Sequence, residues 1–251
     1  MLTRVAARAR RAGARRARAR RARARHGPAA FALAALVAIG VPAAARAQVG
    51  HAPGHSPYHD FPNGNSFTLL VGHFGGGGGE VGVGPHNATT YGLRFDIRTA
   101  KAVQFGIGLS RGTFDRLLID PFQPVAQRVS GPIDQKVMFA ELDIQLNLTG
   151  GKTWHRLAPF GAITLGGAFS EKTPADTSGF KFGNRFFFAP NAGVRIFVTR
   201  RLHLRGEARA VLWKLSYPAN FRMNPTPVLA DVRQSEWTMS PWFQAGLGYT
   251  F

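Results

Sequence analysis

The sequence contains no cysteine among its 251 residues. This absence excludes disulfide bonds and thiolate metal sites, but it leaves the compartment open, because many envelope proteins avoid cysteine. No apolar run reaches the roughly 18 residues that a membrane-spanning helix needs, and the mean hydropathy is near zero. A helical membrane protein is therefore excluded, whereas a membrane barrel is not, since its strands alternate apolar and polar residues.

Lysine and acidic residues are absent from residues 1–47, which hold 12 arginines. The rest of the chain carries 20 basic and 13 acidic residues, so only +7 of the formal charge of +19 lies outside this segment. The high charge is thus mostly a property of the N-terminal segment, and we expect no nucleic-acid partner.

Residues 1–47 are predicted to be a signal peptide. The Arg-rich start leads into the apolar run 29–41, and Ala45 and Ala47 are small residues at the two positions that signal peptidase reads. Cleavage is expected before Gln48. The basic region is unusually long, which a start codon assigned too early would explain. The alternative, a basic arm that binds nucleic acid, leaves the apolar run and the cleavage site without a role.

Residues 48–64 are rich in Gly, Pro and His, and they are predicted to form a flexible periplasmic leader. Three histidines recur in it at every fourth position: His51, His55 and His59. On a helix this spacing would align three imidazoles, but the prolines between them prevent a helix. No metal site is expected here, and a weak metal-binding tail is the alternative.

Eight segments of alternating apolar and polar residues follow the leader. They are 66–74, 90–98, 103–114, 136–148, 158–169, 186–198, 202–213 and 237–251. Alternation over about ten residues is typical of strands that cross a membrane. The fifth segment alternates poorly, so the facing of its side chains stays open. Pro190 and Pro241 predict irregular strand ends, because proline cannot donate to a ladder.

The connections between these segments also alternate in length. Short turns near 99–101, 149–152 and 199–201 separate connections of roughly 14 to 23 residues, an arrangement typical of outer-membrane barrels. The prediction is an all-β fold, an eight-stranded antiparallel transmembrane β-barrel over residues 65–251. Both chain termini are then expected in the periplasm.

The last strand resembles the C-terminal signature of outer-membrane proteins, with an aromatic final residue and apolar residues at alternate positions before it. The residues that carry the resemblance are Phe243, Leu247, Tyr249 and Phe251. With eight strands, the chain is similar to the small OmpA/OmpX-like barrels. The resemblance implies insertion by the barrel-assembly machinery into the outer membrane, with outer-membrane lipid and lipopolysaccharide as partners. It identifies no surface partner and no activity.

Charged residues on the predicted inward faces would meet inside the barrel. They are Arg94, Asp96, Arg98, Glu141, Asp143, Arg195, Arg205, Glu207 and Arg209. An eight-stranded barrel is just wide enough to be filled by its own side chains, so we expect an ion-pair network that plugs the lumen. A proton or ion pathway is the alternative.

Aromatic residues near the strand ends are expected to form two interfacial girdles. The set near the long loops is Phe186, Phe188, Trp213, Tyr217, Trp237 and Trp242, and the set near the short turns is Trp154, Tyr249 and Phe251.

Motifs for catalysis are missing. The glycine run 75–79 is not followed by the Gly-Lys-Ser/Thr of a phosphate-binding loop, and none of the eight histidines has a serine two residues later, as lipid A deacylases do. We expect no catalytic residue, cofactor or metal. The predicted function is a structural or surface-interaction role, and the alternatives are a lipid-modifying enzyme or a narrow solute channel.

Overall fold

The computed structural model describes residues 56–60, 64–174, 176, 178–223, 227–228 and 234–251. In chain order its strands are β1 (Tyr58–Asp60), β2 (Ser66–Phe74), β3 (Ala88–Arg98), β4 (Val103–Ile119), β5 (Val129–Asn147), β6 (Lys152–Trp154), β7 (Leu157–Ser170), β8 (Asn184–Phe197), β9 (Leu202–Ser216) and β10 (Ser235–Thr250). A 3-10 turn (Val125–Gln127) and one short helix, α1 (Asn220–Met223), lie in the connections. Among the described residues, no helix has the length and apolar character needed to cross a membrane.

Eight of these strands close into a barrel. Each long strand pairs antiparallel with the next, in the order β2-β3-β4-β5-β7-β8-β9-β10, and β10 pairs back onto β2. The expected eight-stranded antiparallel β-barrel is therefore confirmed. The closed ladder leaves no long strand with a free edge, which an open sheet of this size would expose.

The strands are strongly staggered around the barrel. Following the paired residues from Phe169 of β7 once around the ring leads back to Pro159 of the same strand, ten residues away. A stagger of this size goes with strands tilted by about 35–45° to the barrel axis. The interior is then just wide enough for side chains to fill it.

The outer wall carries a continuous apolar band. On β5 and the residue after it, the outward Met, Leu and Ile side chains from Met138 to Leu148 are 51 to 66% exposed. With a rise of about 3.3 Å per residue along tilted strands, this stretch covers about 25 Å of the barrel height. Such a band matches the hydrocarbon thickness that a membrane barrel spans.

One part of the expected flexible leader is a strand. The residues of β1 pair antiparallel with β6, with His59 opposite Thr153, whose Oγ1 donates a 3.2 Å hydrogen bond to the His59 carbonyl. β6 lies in the connection between β5 and β7, and its free edge pairs with the leader. The remaining leader residues 48–55 and 61–63, the signal peptide and the cleavage residues Ala45, Ala47 and Gln48 lie outside the described residues.

The β4–β5 hairpin is longer than the alternation predicted. Its ladder continues to the pair Ile119 and Val129, with one register shift between Arg116 and Leu118. Beyond Leu109 the outward positions of β4 before the register shift are polar or charged, so the sequence pattern ends while the backbone pairing goes on.

The two prolines behave differently from each other. The β8–β9 ladder lacks pairs at Ala189 and Pro190, as expected for a residue without an N–H. In contrast, Pro241 keeps its register opposite Ala210, and its carbonyl accepts a 2.8 Å hydrogen bond from Gly75 N. The expected irregularity at Pro241 is wrong, because this proline keeps its acceptor in the ladder.

Two glycines in neighbouring strands offer a matched test of the interior packing. A Cβ at Gly193 would lie 2.3 Å from the Gly206 carbonyl oxygen and 2.5 Å from Phe160 Cζ, whereas a Cβ at Gly206 meets nothing within 4 Å. We expect Gly193→Ala to lower the free energy of unfolding by about 1–3 kcal/mol and Gly206→Ala to leave it unchanged. Urea unfolding of refolded protein in detergent micelles measures both, and equal midpoints would contradict the packing described here.

Candidate functional site: the barrel interior

Charged side chains fill the part of the interior nearest the short turns. Eight of the nine residues expected in the lumen lie there with 5% exposure or less: Arg94, Asp96, Glu141, Asp143, Arg195, Arg205, Glu207 and Arg209. The ninth, Arg98, is half-buried at the turn end of β3, where its guanidinium donates a 3.3 Å hydrogen bond to the Lys101 carbonyl. Arg98 therefore lies at the short-turn end of the barrel.

Glu207 is the centre of the first group of ion pairs. It lies on β9 between two arginines that point to the same side, because side chains two apart share a strand face. Arg205 Nε donates a 2.8 Å hydrogen bond to one carboxylate oxygen, and Arg209 Nε donates a 2.6 Å bond to the other. Arg209 also reaches across the lumen to Glu141 on β5.

Arg94 and Asp143 form the second group. Arg94 Nε donates a 2.7 Å hydrogen bond to Asp96 on its own strand, and its Nη2 pairs with Asp143 across the lumen. Asp143 further accepts hydrogen bonds from Thr164 Oγ1 at 2.6 Å and Asn191 Nδ2 at 3.1 Å. The two groups are joined where Arg205 Nη1 comes within 4.0 Å of Asp96 Oδ2.

The buried charges of this region balance. Four arginines and four carboxylates share the space, and amide side chains serve the remaining guanidinium groups. Arg205 donates a 2.9 Å hydrogen bond to Gln145, and Arg195 donates a 2.7 Å bond to Asn147. A channel for ions of one sign would instead be lined mostly by the opposite sign. The arrangement therefore suits a closed plug.

A layer of aromatic side chains fills the interior on the loop side of the ion pairs. Each ring centroid lies within 6.3 Å of at least one other, and the side chains are at most 1% exposed: Phe74, Phe114, Phe139, Phe187, Trp213 and Trp242. The layer also contacts the charges below it, since the Arg209 guanidinium lies 5.2 Å from the Trp242 ring. The layer therefore occupies the interior between the ion pairs and the loops.

This layer corrects part of the expected aromatic girdle. Trp213, Trp242 and Tyr217 were expected at the membrane surface, but all three are buried within the barrel or beneath its loops. The alternation of side chains along a strand could have predicted that the two tryptophans point inward. Trp213 shares the face of Arg209 on β9, and Trp242 shares the face of Gln244 on β10. Phe186 and Trp237, in contrast, are more than 60% exposed.

Polar contacts hold the connections at the loop end of the barrel. Arg116, at the top of β4, pairs with Asp176 in the connection between β7 and β8, and its guanidinium lies 5.2 Å from the Phe180 ring. Burial raises the pKa of Asp176, but hydrogen bonds from Ser178 and Arg116 outweigh this effect and hold the pKa below its usual value. Tyr217 donates a hydrogen bond to Glu236, and burial together with this contact raises the pKa of Tyr217.

His203 is a buried histidine on the inward face of β9. Its ring is buried and lies 5.3 Å from the Phe197 ring. Neither ring nitrogen has a hydrogen-bond partner among the described residues, and the neighbouring Thr68 hydroxyl also lacks one. A histidine that activates a hydroxyl must hydrogen-bond to it. His203 therefore activates no hydroxyl group in this arrangement. Among the described residues, no cluster of His, Cys, Asp or Glu could hold a metal ion.

Similar structures are known at low sequence identity. No known protein family matches the sequence, and no curated protein matches it. Among solved structures, the outer membrane protein OprG from Pseudomonas aeruginosa is 13% identical with a TM-score of 0.48, over 78% of this chain and 99% of that one. Neisserial surface protein A is 11% identical with a TM-score of 0.47, over 78% and 98%. The outer membrane enzyme PagL is 11% identical with a TM-score of 0.39, over 70% and 97%. The similarity concerns the fold alone.

The ion pairs around Glu207 predict a large effect of removing its carboxylate. Glu207→Ala leaves Arg205 and Arg209 buried without their shared partner, which costs about 3–5 kcal/mol for a buried pair. The matched control is Glu171→Ala, which breaks a 3.9 Å ion pair with Lys136 in which both side chains are largely exposed. We expect a clear fall of the urea midpoint in the first variant and none in the second. Similar midpoints would show that water enters the interior.

The Arg116–Asp176 pair predicts that the loop contact weakens in acid. Because the pKa of Asp176 is lower in the folded protein than the usual value of about 3.9, ionisation stabilises the fold above that value. The stabilisation is lost as the pH falls through the lower folded pKa. We expect hydrogen exchange of the Ser178 amide, which donates to Asp176 at 2.9 Å, to accelerate below about pH 4 after correction for the intrinsic rate. An Asp176→Asn variant should lack this change, and acceleration in both proteins would contradict the assignment.

Proposed function

We propose that the chain is an outer-membrane β-barrel protein with a plugged lumen and a structural or surface-interaction role. The observation that carries this proposal is the combination of two surfaces. An apolar band about 25 Å high covers the outside, while ion pairs and an aromatic layer fill the inside. A soluble barrel of this size would bury the apolar set and expose the charged one.

The exposed apolar side chains support a membrane location. On β3 and β4 they include Leu93, Ile107 and Leu109, which are 47 to 53% exposed in the isolated chain. A continuous apolar surface of this kind would aggregate in water but is stable against lipid chains. Exposed aromatic rings lie at both edges of the band, with Trp237 and Phe186 on the loop side and Tyr249 on the turn side.

The orientation follows from loop length. In barrels of this kind the short turns face the periplasm and the long loops face outward, which puts Phe251 and the start of β2 on the periplasmic side. The residues of the expected assembly signal lie on the outward face of β10 or directly after it: Phe243, Leu247, Tyr249 and Phe251. They are therefore accessible to the barrel-assembly machinery before lipid covers them. Outer-membrane lipid and lipopolysaccharide then surround the band.

The alternatives have less support. A lipid-modifying enzyme needs a nucleophile next to its base, and His203 has no such partner among the described residues. A solute channel needs a continuous path, and the ion pairs and the aromatic layer occupy the described interior through which it would run. The loops closing the mouth, held by Arg116 and Tyr217, offer a surface for contacts outside the cell.

Two measurements test the proposal together. In planar bilayers the purified protein is expected to give no sustained conductance, because the interior is filled. In intact cells, a cysteine introduced at Lys181 of the β7–β8 connection should react with a membrane-impermeant maleimide, and a cysteine at Gly150 of the β5–β6 turn should not. Since the chain has no native cysteine, the label reports these positions alone. Steady ion currents would contradict the plug, and labelling only at Gly150 would reverse the orientation.

A further inference from the structure

Two adjoining grooves lie on the outer wall, beside the loop end of β3 and the middle of β4 and β5. One, the polar groove, has a volume of about 740 Å³ and is lined by charged residues, among them Arg111 and Lys136, together with apolar residues such as Phe169. The other has a volume of about 440 Å³ and is almost entirely apolar. Both grooves are lined by Tyr91, Arg111 and Met138, so the two form one continuous depression.

The register places Arg111 at the boundary of the apolar band. Along β4 the outward residues are Phe105, Ile107 and Leu109, and Arg111 is the first charged residue after them. Its partners in the ladder are Tyr91 on β3 and Met138 on β5. A cation in this position meets both the lipid chains below it and the headgroup layer above it.

Arg111 lacks an internal counter-charge. Among the described residues its side chain takes part in no ion pair and no hydrogen bond, in contrast to the arginines of the lumen. A cationic side chain on the lipid-facing wall is costly in proportion to its depth. An anion supplied by the surrounding lipid would remove that cost and would bind the guanidinium in a bidentate manner.

A second cation lies on the loop side of Arg111. Lys136 of β5 is opposite Thr113 of β4 in the ladder and is 68% exposed. Its contact with Glu171, at 3.9 Å between exposed side chains, is weak. Glu171 also lines the polar groove, so the groove carries two positive charges and one negative charge. An anionic headgroup can therefore displace Glu171 from Lys136 and bind both cations.

The apolar groove fits a hydrocarbon chain. Its walls are formed by Leu69, Leu93 and Leu109, and all three side chains are 47 to 53% exposed. It runs from Arg111 toward the middle of the apolar band. A ligand that fills both grooves thus carries a phosphate group beside an acyl chain, with the phosphate on the loop side.

We propose that this depression binds one phosphorylated acyl glycolipid of the lipid A type. Arg111 and Lys136 bind a phosphate, and the apolar groove binds an acyl chain. The choice of lipid A over a phospholipid rests on the proposed function, because the loop end of the barrel then lies in the outer leaflet, where lipopolysaccharide is the main lipid. The depression is a site beyond the general lipid contact of the band, since it combines two cations with an adjoining apolar groove.

The proposal is tested by lipid retention in native mass spectrometry. Refolded protein in detergent micelles is mixed with bisphosphorylated lipid A, with the same lipid after phosphate removal, or with phosphatidylglycerol. We expect wild-type protein to retain one molecule of bisphosphorylated lipid A. Retention should fall about tenfold in Arg111→Gln and in Lys136→Gln, as for the loss of one charge-assisted contact. The matched control is Lys214→Gln, which removes an exposed outward cation of β9 that lines neither groove.

The outcomes separate the site from the orientation. Equal retention in all three variants would overturn the site, and equal retention of the dephosphorylated lipid would overturn its phosphate chemistry. Equal retention of phosphatidylglycerol, lost in the same two variants, would overturn the assignment to lipid A. The maleimide labelling described above reports the orientation independently, so a reversed barrel with intact binding refutes the proposed function and not the groove. Unchanged urea midpoints of the variants show that altered retention does not arise from misfolding.

Discussion

The pairing of β10 with β2 is the constraint on which the rest of the structure depends. Once eight strands close with a stagger of ten residues, the width of the interior is fixed, and every inward side chain must share that width. Where two large side chains meet, a third strand contributes glycine, as Gly193 does beside Phe160 and Glu207. The ion pairs and the aromatic layer therefore fill the same interior width at two heights of the barrel.

The two layers depend on each other electrostatically. Aromatic rings beside the ion pairs lower the local dielectric constant, and a lower dielectric constant strengthens ion pairs. The charges in turn are covered by ring faces, with the Arg205 guanidinium 4.3 Å from the Phe160 ring and Arg209 below Trp242. Above both layers, Arg116 and Asp176 hold a loop over the aromatic side chains. Buried side chains therefore occupy the described interior at three successive heights.

Much of this fold could be predicted from alternation, because lipid-facing and inward residues must alternate in every strand. The bounds of β2 and the inward facing of Glu207 both follow from it. Three features could not be predicted in this way. The β4–β5 hairpin continues where no lipid requires alternation, β1 pairs with a segment far away in sequence, and Trp242 was judged by its closeness to a strand end and not by its parity with Gln244. The loop contacts of Arg116 depend on tertiary structure that no periodicity encodes.

Several interior ion pairs join residues on the same strand. Arg94 bonds to Asp96, and Glu207 bonds to the arginines two positions before and after it. Such pairs need no neighbouring strand to bring their partners together, because side chains two apart share a strand face. The charges of β3 and β9 are thus partly neutralised within each strand. These charges therefore do not require a particular order of strand assembly.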